Sequence, residues 1–283
     1  MEGGDAIRTL DVRQLGREAV ICSFLVGDVM VDCGPGSRLA TLLEALGDAR
    51  PRVLALTHIH LDHAGAAGAL VERWPDLEVW VHERGAPHMI DPAKLLASAT
   101  RLYGEDMDRL WGEFLAVPES NVRVLRGGES IDGIEVAYTP GHASHHLSYL
   151  HERTGTAFVG DVAGVRAPGG GYVLAPTPPP DIDVETWQES IARVRAWQPR
   201  ALALTHFGTF TDVSWHLDAI ERSLALAAQR ARDLSLEEFS SATRADIEAD
   251  EAGRDAAVYA LAAPLDHDYA GLERYWARRG EER

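Results

Sequence analysis

Residues 57–63 read Thr57-His58-Ile59-His60-Leu61-Asp62-His63, four metal-capable side chains within six residues, directly after the apolar run Val53-Leu54-Ala55-Leu56. A short apolar run ending in a turn reads as a strand, so the three histidines and the carboxylate leave a strand end. In an extended loop His58 and His60 project to the same side, where one ion can take both imidazoles at about 2.0–2.1 Å. The pattern then turns helical over 64–74, with Asp62 in the N-cap region, which swings Asp62 and His63 toward a second position open to a neighbouring ion. A His-rich surface loop without metal leaves the acid among three imidazoles unexplained.

Three later segments complete the set. Tyr138-Thr139-Pro140-Gly141-His142 puts a histidine after a Pro-Gly turn, Val159-Gly160-Asp161 ends an apolar strand with a carboxylate, and Leu204-Thr205-His206 ends another with an imidazole. Singly, each has an ordinary explanation as a turn or cap residue. Together they fill two coordination sets. Leu54-Ala55-Leu56-Thr57-His58 also recurs as Leu202-Ala203-Leu204-Thr205-His206, as expected if two similar half-folds each deliver a histidine from a strand end.

Around these segments, strand patterns run over 19–26, 29–31 and 53–56, then again over 122–125, 134–138, 147–150 and 156–159, with a helical pattern over 39–46. Between the two strand-rich stretches, Met107, Leu110, Trp111 and Phe114 stand at i, i+3, i+4 and i+7, which predicts an amphipathic helix inside an insertion at 91–115. The stiff Pro176-Thr177-Pro178-Pro179-Pro180 precedes a further amphipathic helix over 184–197, and from Trp215 onward the pattern is almost purely helical. The expected organisation is a catalytic domain over residues 1–213 followed by a helical extension over 214–283, which offers a packing and homodimer surface.

Composition narrows the function classes. The chain has 283 residues, 46% of them hydrophobic, enough for a full-sized core. A formal charge of −17 repels phosphate backbones and anionic lipid, so the expected partner is a small-molecule substrate, with no nucleic acid and no membrane. Met1-Glu2-Gly3-Gly4-Asp5 lacks the basic and apolar regions of a signal peptide, which predicts a cytoplasmic protein. Cys22 and Cys33 form no disulfide framework or thiolate motif, and the acidic run from Asp246 to Glu251 reads as a solvated helix face.

With its H-x-H-x-D-H run at His58–His63, then His142, Asp161 and His206 in order, the sequence resembles the metallo-β-lactamase superfamily over roughly residues 15 to 210. The turn after Val31, Asp32-Cys33-Gly34, is similar to that family's early strand-Asp-x-Gly turn, and His146 follows His142 by four residues. The resemblance implies an α/β (α+β) fold, a four-layer αββα sandwich with the metals at one edge. It implies one metal on His58, His60 and His142, a second on Asp62, His63 and His206, and Asp161 between them, with Asp32 and His146 orienting ligands. The implied cofactor is two Zn2+, with Fe or Mn as alternatives.

Departures within the family narrow the activity. True β-lactamases often carry Cys or Ser where this chain has Asp161, whereas an acidic bridge resembles glyoxalase II, lactonases and related hydrolases. The expected activity is therefore a dinuclear-zinc hydrolysis of a small carboxylic ester, lactone or thioester by a metal-bridging hydroxide, with Asp161 and Asp62 as the catalytic carboxylates. Alternatives are a metal-dependent phosphodiesterase and a persulfide dioxygenase with one iron on His58, His142 and Asp161, the two-His-one-carboxylate arrangement. The loop 164–173, with Arg166 and Tyr172 flanking Gly169-Gly170-Gly171, and the 91–115 insertion are the candidates for substrate selection. His82, His88, His145, His151, His216 and His267 lack paired ligand spacing and read mostly as solvated.

Overall fold

Along the inner strands the side chains alternate between two apolar environments, because both faces of both sheets are covered, while the edge strands keep exposed residues. A computed structural model describes residues 6–250 and 256–280; Met1–Asp5, read above for a signal peptide, and Glu251 of the acidic run lie outside them. The first sheet has the order β1 (Arg8–Asp11), β2 (Cys22–Val26), β3 (Val29–Val31), β4 (Val53–Ala55), β5 (Glu78–His82), β6 (Val122–Leu125), and β3 to β6 run parallel. The second comprises β7 (Ser130–Ile131), β8 (Ile134–Tyr138), β9 (Leu147–His151), β10 (Thr156–Phe158), β11 (Ala201–Leu204) and β12 (Gly208–Phe210), neighbours in that order, with only the β10–β11 pair parallel.

The sheets face each other through one cluster: Phe24, Val31, Ala55 and Trp80 from the first meet Val136, Tyr149, Phe158 and Ala203 from the second. The opposite face of the first sheet, including Met30, Leu54 and Val79, packs under α1 (Leu39–Leu46), α2 (Leu61–Ala64) and α3 (Ala67–Arg73). α4 (Ala86–Ile90), α5 (Ala93–Tyr103) and α6 (Met107–Leu110) lie in the connection from β5 to β6. The outer face of the second sheet, with Ala157, Leu202 and Leu204, is covered by α7 (Val184–Ala196), α8 (Val213–Asp233), α9 (Leu236–Ala249) and, beyond α10 (Ala256–Ala262), α11 (Leu265–Arg278). The result is the expected four-layer αββα sandwich with a C-terminal helical region. Ile247, Val258 and Tyr259 of that region enter the first sheet's cluster, while Leu217, Phe239 and Leu272 enter the second's. No helix among the described residues is long and apolar enough to cross a membrane.

Three local expectations change. The helix expected over 64–74 starts earlier, at Leu61 with His60 as the N-cap residue, and is broken after Ala64 because the Ala66 N–H donates to Gly34 O at 3.0 Å. Asp62 therefore sits in the first turn and not at the cap. The helix expected through Phe114 ends at Leu110, where Gly112 takes φ +66 and the Ser37 N–H captures the Trp111 carbonyl at 2.9 Å; the longer insertion helix is α5. Residues 122–125 close the edge of the first sheet, because the insertion is the crossover that makes β6 parallel to β5.

Candidate metal centre

Parallel strands deliver the site. β3, β4, β10 and β11 end on the same side, and just past their carboxyl ends stand Asp32, His58, Asp161 and His206. The repeated Leu-Ala-Leu-Thr-His acquires a physical meaning at Asp32. Thr57 donates its N–H to Asp32 Oδ1 at 2.8 Å and its hydroxyl to Oδ2 at 2.9 Å, and Thr205 donates its hydroxyl to Oδ2 at 2.8 Å. One fully buried carboxylate thus fastens both strand ends by the threonine that precedes each histidine. Asp32 also accepts from His63 Nδ1 at 2.7 Å.

The same orientation rule governs two further imidazoles, His142 and His206. His142 Nδ1 donates to Pro176 O at 2.9 Å and His206 Nδ1 donates to Val20 O at 2.8 Å. A carbonyl only accepts, so Nδ1 carries the proton and Nε2 presents its lone pair. His58 Nε2, His63 Nε2, His206 Nε2 and Asp161 Oδ1 are buried with no hydrogen-bond partner among the described residues. Buried polar atoms without partners are costly, and a convergent set of lone pairs is satisfied by cations; the donors present fit a metal centre.

The ligand atoms fall into groups within 4.8 Å of one another: His58 with His60 and His142; Asp62 with His63 and His206; and His58 with His63 and Asp161. His142 Nε2 lies 3.1 Å from His60 Nδ1. Asp161 turns Oδ2 toward His142 Nε2 at 3.2 Å and Oδ1 toward His63 Nε2 at 3.2 Å and His206 Nε2 at 3.5 Å, so its two oxygens face different groups. Asp62 Oδ2 lies 3.2 Å from His206 Nε2 and 3.5 Å from His63 Nε2. All seven side chains expected from the sequence are brought together, and Asp32 lies directly behind them.

Electrostatics divide the cluster. Burial, reinforced by the neighbouring imidazoles, holds His58 well below the ordinary histidine range and His60 at about 4, so both offer neutral nitrogens at pH 7. Burial also lowers His63 and His206, but the carboxylates of Asp161 and Asp62 outweigh it and hold both above their usual value. For Asp62, burial is outweighed by His63 and His206, which bring it down to about 2.

His146 is buried beside His58 with ring centroids 5.0 Å apart; its Nδ1 meets Thr139 Oγ1 at 2.9 Å and its Nε2 has no partner among the described residues. Gly160, at φ +46, makes this packing feasible, since a Cβ there would stand 2.7 Å from Thr57 Oγ1 and 2.8 Å from His146 Nε2. His145, expected to be solvated, is half-buried: it lies parallel to His58 at 6.1 Å and accepts the Ile59 N–H at 3.4 Å. His82, His151 and His216 are buried as well, and His88 and His267 half-buried, because each packs into the protein; His82, for example, stacks on Tyr138 at 4.3 Å.

His60, Asp62 and Asp161 open onto a cavity of about 620 Å3. Arg166 and Tyr172, expected beside the substrate, do not line it. The Arg166 guanidinium is spent on Gly170 O at 2.7 Å and Asp212 at 2.9 Å, sandwiched over Phe210 and Trp215, while Tyr172 packs edge-on to Tyr259 at 5.8 Å. Their loop is tied to the tail because Asp250 accepts the N–H groups of Gly171 and Tyr172, which also takes Asp250 out of the solvated acidic face expected for it. The cavity wall comes instead from α5, Trp111, the proline run and residues 260–268. The insertion was an expected contributor; the proline run and tail were missed. The stiff proline segment beside His142 was the available signal.

The fold and this His–Asp centre define a metal-dependent hydrolase. The family model described as the metallo-beta-lactamase superfamily matches residues 19–207, and the chain belongs to that superfamily. A relative named metallo-beta-lactamase fold-containing protein ST1585, from Sulfurisphaera tokodaii, is 30% identical over 189 residues, 64% of this chain and 68% of the relative. The hydroxyacylglutathione hydrolase GloC of Haemophilus influenzae is 30% identical over 129 residues, 46% of this chain and 57% of its own length. The solved structure of ST1585 from Sulfolobus tokodaii superposes with a TM-score of 0.72 at 22% identity, covering 95% of this chain and 98% of that one. TTHA1623, solved in a di-iron-bound form, gives 0.52 at 26% identity over 70% of this chain and 93% of its own.

Proposed function

We propose that the chain is a two-zinc hydrolase of small carboxylic esters, lactones or thioesters. The observation that carries this reading is Asp161, whose oxygens point at two different ligand groups 3.2 Å away on either side, the arrangement of a carboxylate shared by two ions. His58, His60 and His142 would hold one ion and Asp62, His63 and His206 the other. Two divalent ions supply, when bound, Lewis acidity and a water that loses its proton near neutral pH.

The chain's own residues prepare the rest. Nδ1 bonds to Asp32, Pro176 and Val20 keep His63, His142 and His206 fixed, so little reorganisation is left for the reaction. Asp62 is half-buried at the cavity edge with Oδ2 turned to His206 and His63, which keep it ionised and leave Oδ1 as an acceptor that would orient the attacking water. Only Asp62 and Asp161 contribute negative charge to the ligand set, so the loaded centre stays positive and favours a developing oxyanion. The formal charge of −17 disfavours polyanionic substrates, and similarity to a hydroxyacylglutathione hydrolase supports an acyl substrate.

The test is a panel of p-nitrophenyl acetate, an acyl-homoserine lactone, lactoylglutathione, bis-p-nitrophenyl phosphate and a β-lactam on zinc-loaded protein. Turnover of at least one ester, lactone or thioester well above the other two classes is expected. Turnover of the phosphodiester alone would overturn the acyl-hydrolase reading.

A further inference from the structure

Helix α5 is amphipathic, yet none of its eleven residues is buried. Leu95, Ser98, Ala99 and Leu102 recur at i, i+3, i+4 and i+7, one helical face, and all four line the cavity that opens onto His60, Asp62 and Asp161. An apolar stripe on a surface helix normally seals against the core; here only Leu95 reaches the first sheet's cluster, and the stripe lines an open volume of about 620 Å3, within the roughly 300–1,000 Å3 usual for small-molecule sites. Trp111 and Tyr103 meet edge-on at 5.0 Å and continue the wall, and residues 260–263 of the tail add further apolar surface.

The charges around the cavity form no matching anion subsite. Arg101, Arg109 and Arg274 are exposed, Arg109 is held by Asp106 at 2.9 Å, and Asp266 stands among the same lining residues. One cation in excess at a wet rim does little to hold the two carboxylates of a glutathione tripeptide. The apolar wall is far larger than an acetyl or lactoyl group can cover.

Resting on the acyl-hydrolase reading above, we propose that the preferred substrate carries a long apolar acyl chain, seated along the α5 face with its carbonyl at the metal centre. Each methylene that leaves water for this wall raises kcat/KM by about two- to four-fold. The gain should lie mainly in KM, because the chain is bound alike in ground and transition states.

The experiment is a p-nitrophenyl ester series from acetate to decanoate on the zinc-loaded full chain, with calorimetric binding of acetate and decanoate alongside. A rise of about 100-fold in kcat/KM from acetate to octanoate is expected, as is decanoate binding with a negative heat-capacity change. Leu102→Ser should cut the octanoate-to-acetate ratio about ten-fold with an unchanged melting temperature, since no residue of α5 is buried. Acetate turnover with a flat or falling series and no decanoate binding overturns this inference and leaves the hydrolase reading standing. Decanoate binding without turnover of any ester overturns the hydrolase reading and keeps the apolar site. A Leu102→Ser protein that retains the full ratio removes α5 from the site.

Discussion

Behind His63, His142 and His206 a second hydrogen bond aims each ligand nitrogen, and one buried carboxylate, Asp32, ties two strand ends together. Along α5, in the cavity onto which the ligands open, no side chain is buried, and the insertion and the tail give a lining that mixes apolar surface with exposed charges. The two regions are built to different tolerances. Chemistry needs donors fixed to fractions of an ångström, whereas selection of an apolar chain needs only shape and area. Substitutions near the ligands should therefore cost far more than substitutions in the helical tail, and that ranking can be broken.

The largest effect is expected at the shared ligand. Asp161→Ala should lower turnover by about 1,000-fold or more and reduce bound metal below two ions per chain, with unchanged circular dichroism, because Asp161 lies past a strand end and outside the apolar clusters. Wild-type turnover in this variant would remove the two-ion mechanism. One step behind the ligands, Asp32→Asn should weaken metal affinity by about 10–100-fold in a competition with a chelator. Asn tolerates the left-handed φ of +54 at this position, so the loss would report the carboxylate and not the backbone. Unchanged affinity would mean that the Thr57 and Thr205 anchors are incidental.

In the tail the expected effects are on stability. Burial, seconded by Arg166, holds His216 at about 4 against the pull of the Ala163 carbonyl. The unfolded chain takes up a proton near 6.5 while the folded protein stays neutral until about 4, so this residue's contribution is intact above pH 6.5 and is lost as pH falls from 6.5 to 4. Between pH 7 and 4.5 that amounts to about 2 kcal/mol. Urea unfolding of the metal-free protein should show His216→Gln losing less stability than wild type over that interval, and an identical acid loss would contradict the assignment. The smallest effect is at the cap of α9: Ser235 accepts the Glu238 N–H and Glu238 reaches back to the Ser235 backbone, so Ser235→Ala should cost about 1 kcal/mol with no change in turnover.

The same contrast explains what was legible in the sequence. His58–His63 is readable because ligand spacing is local, Asp161 and His206 because each ends an apolar strand, and His142 because it follows a Pro-Gly turn; short apolar runs bounded by turns marked the strands. The roles of Thr57 and Thr205 stood in the repeated Leu-Ala-Leu-Thr-His, but their common partner, 173 residues from Thr205, is a tertiary fact. Arg166 and Tyr172 misled because a Gly-rich loop beside an Arg looks like a ligand loop, whereas Asp250 and Tyr259 from a distant helical segment take it over. The insertion was expected at the substrate, but the tail's share of the cavity wall escaped notice because an apolar stripe facing a ligand and one facing a core have the same period.

The central claim is that seven side chains hold two ions. Protein purified without added metal, stripped and titrated with Zn2+, should gain hydrolytic activity up to two equivalents per chain and then plateau, with elemental analysis showing two ions bound. A plateau at one equivalent, or a single tightly bound iron that consumes oxygen and forms sulfite from a persulfide, would contradict it.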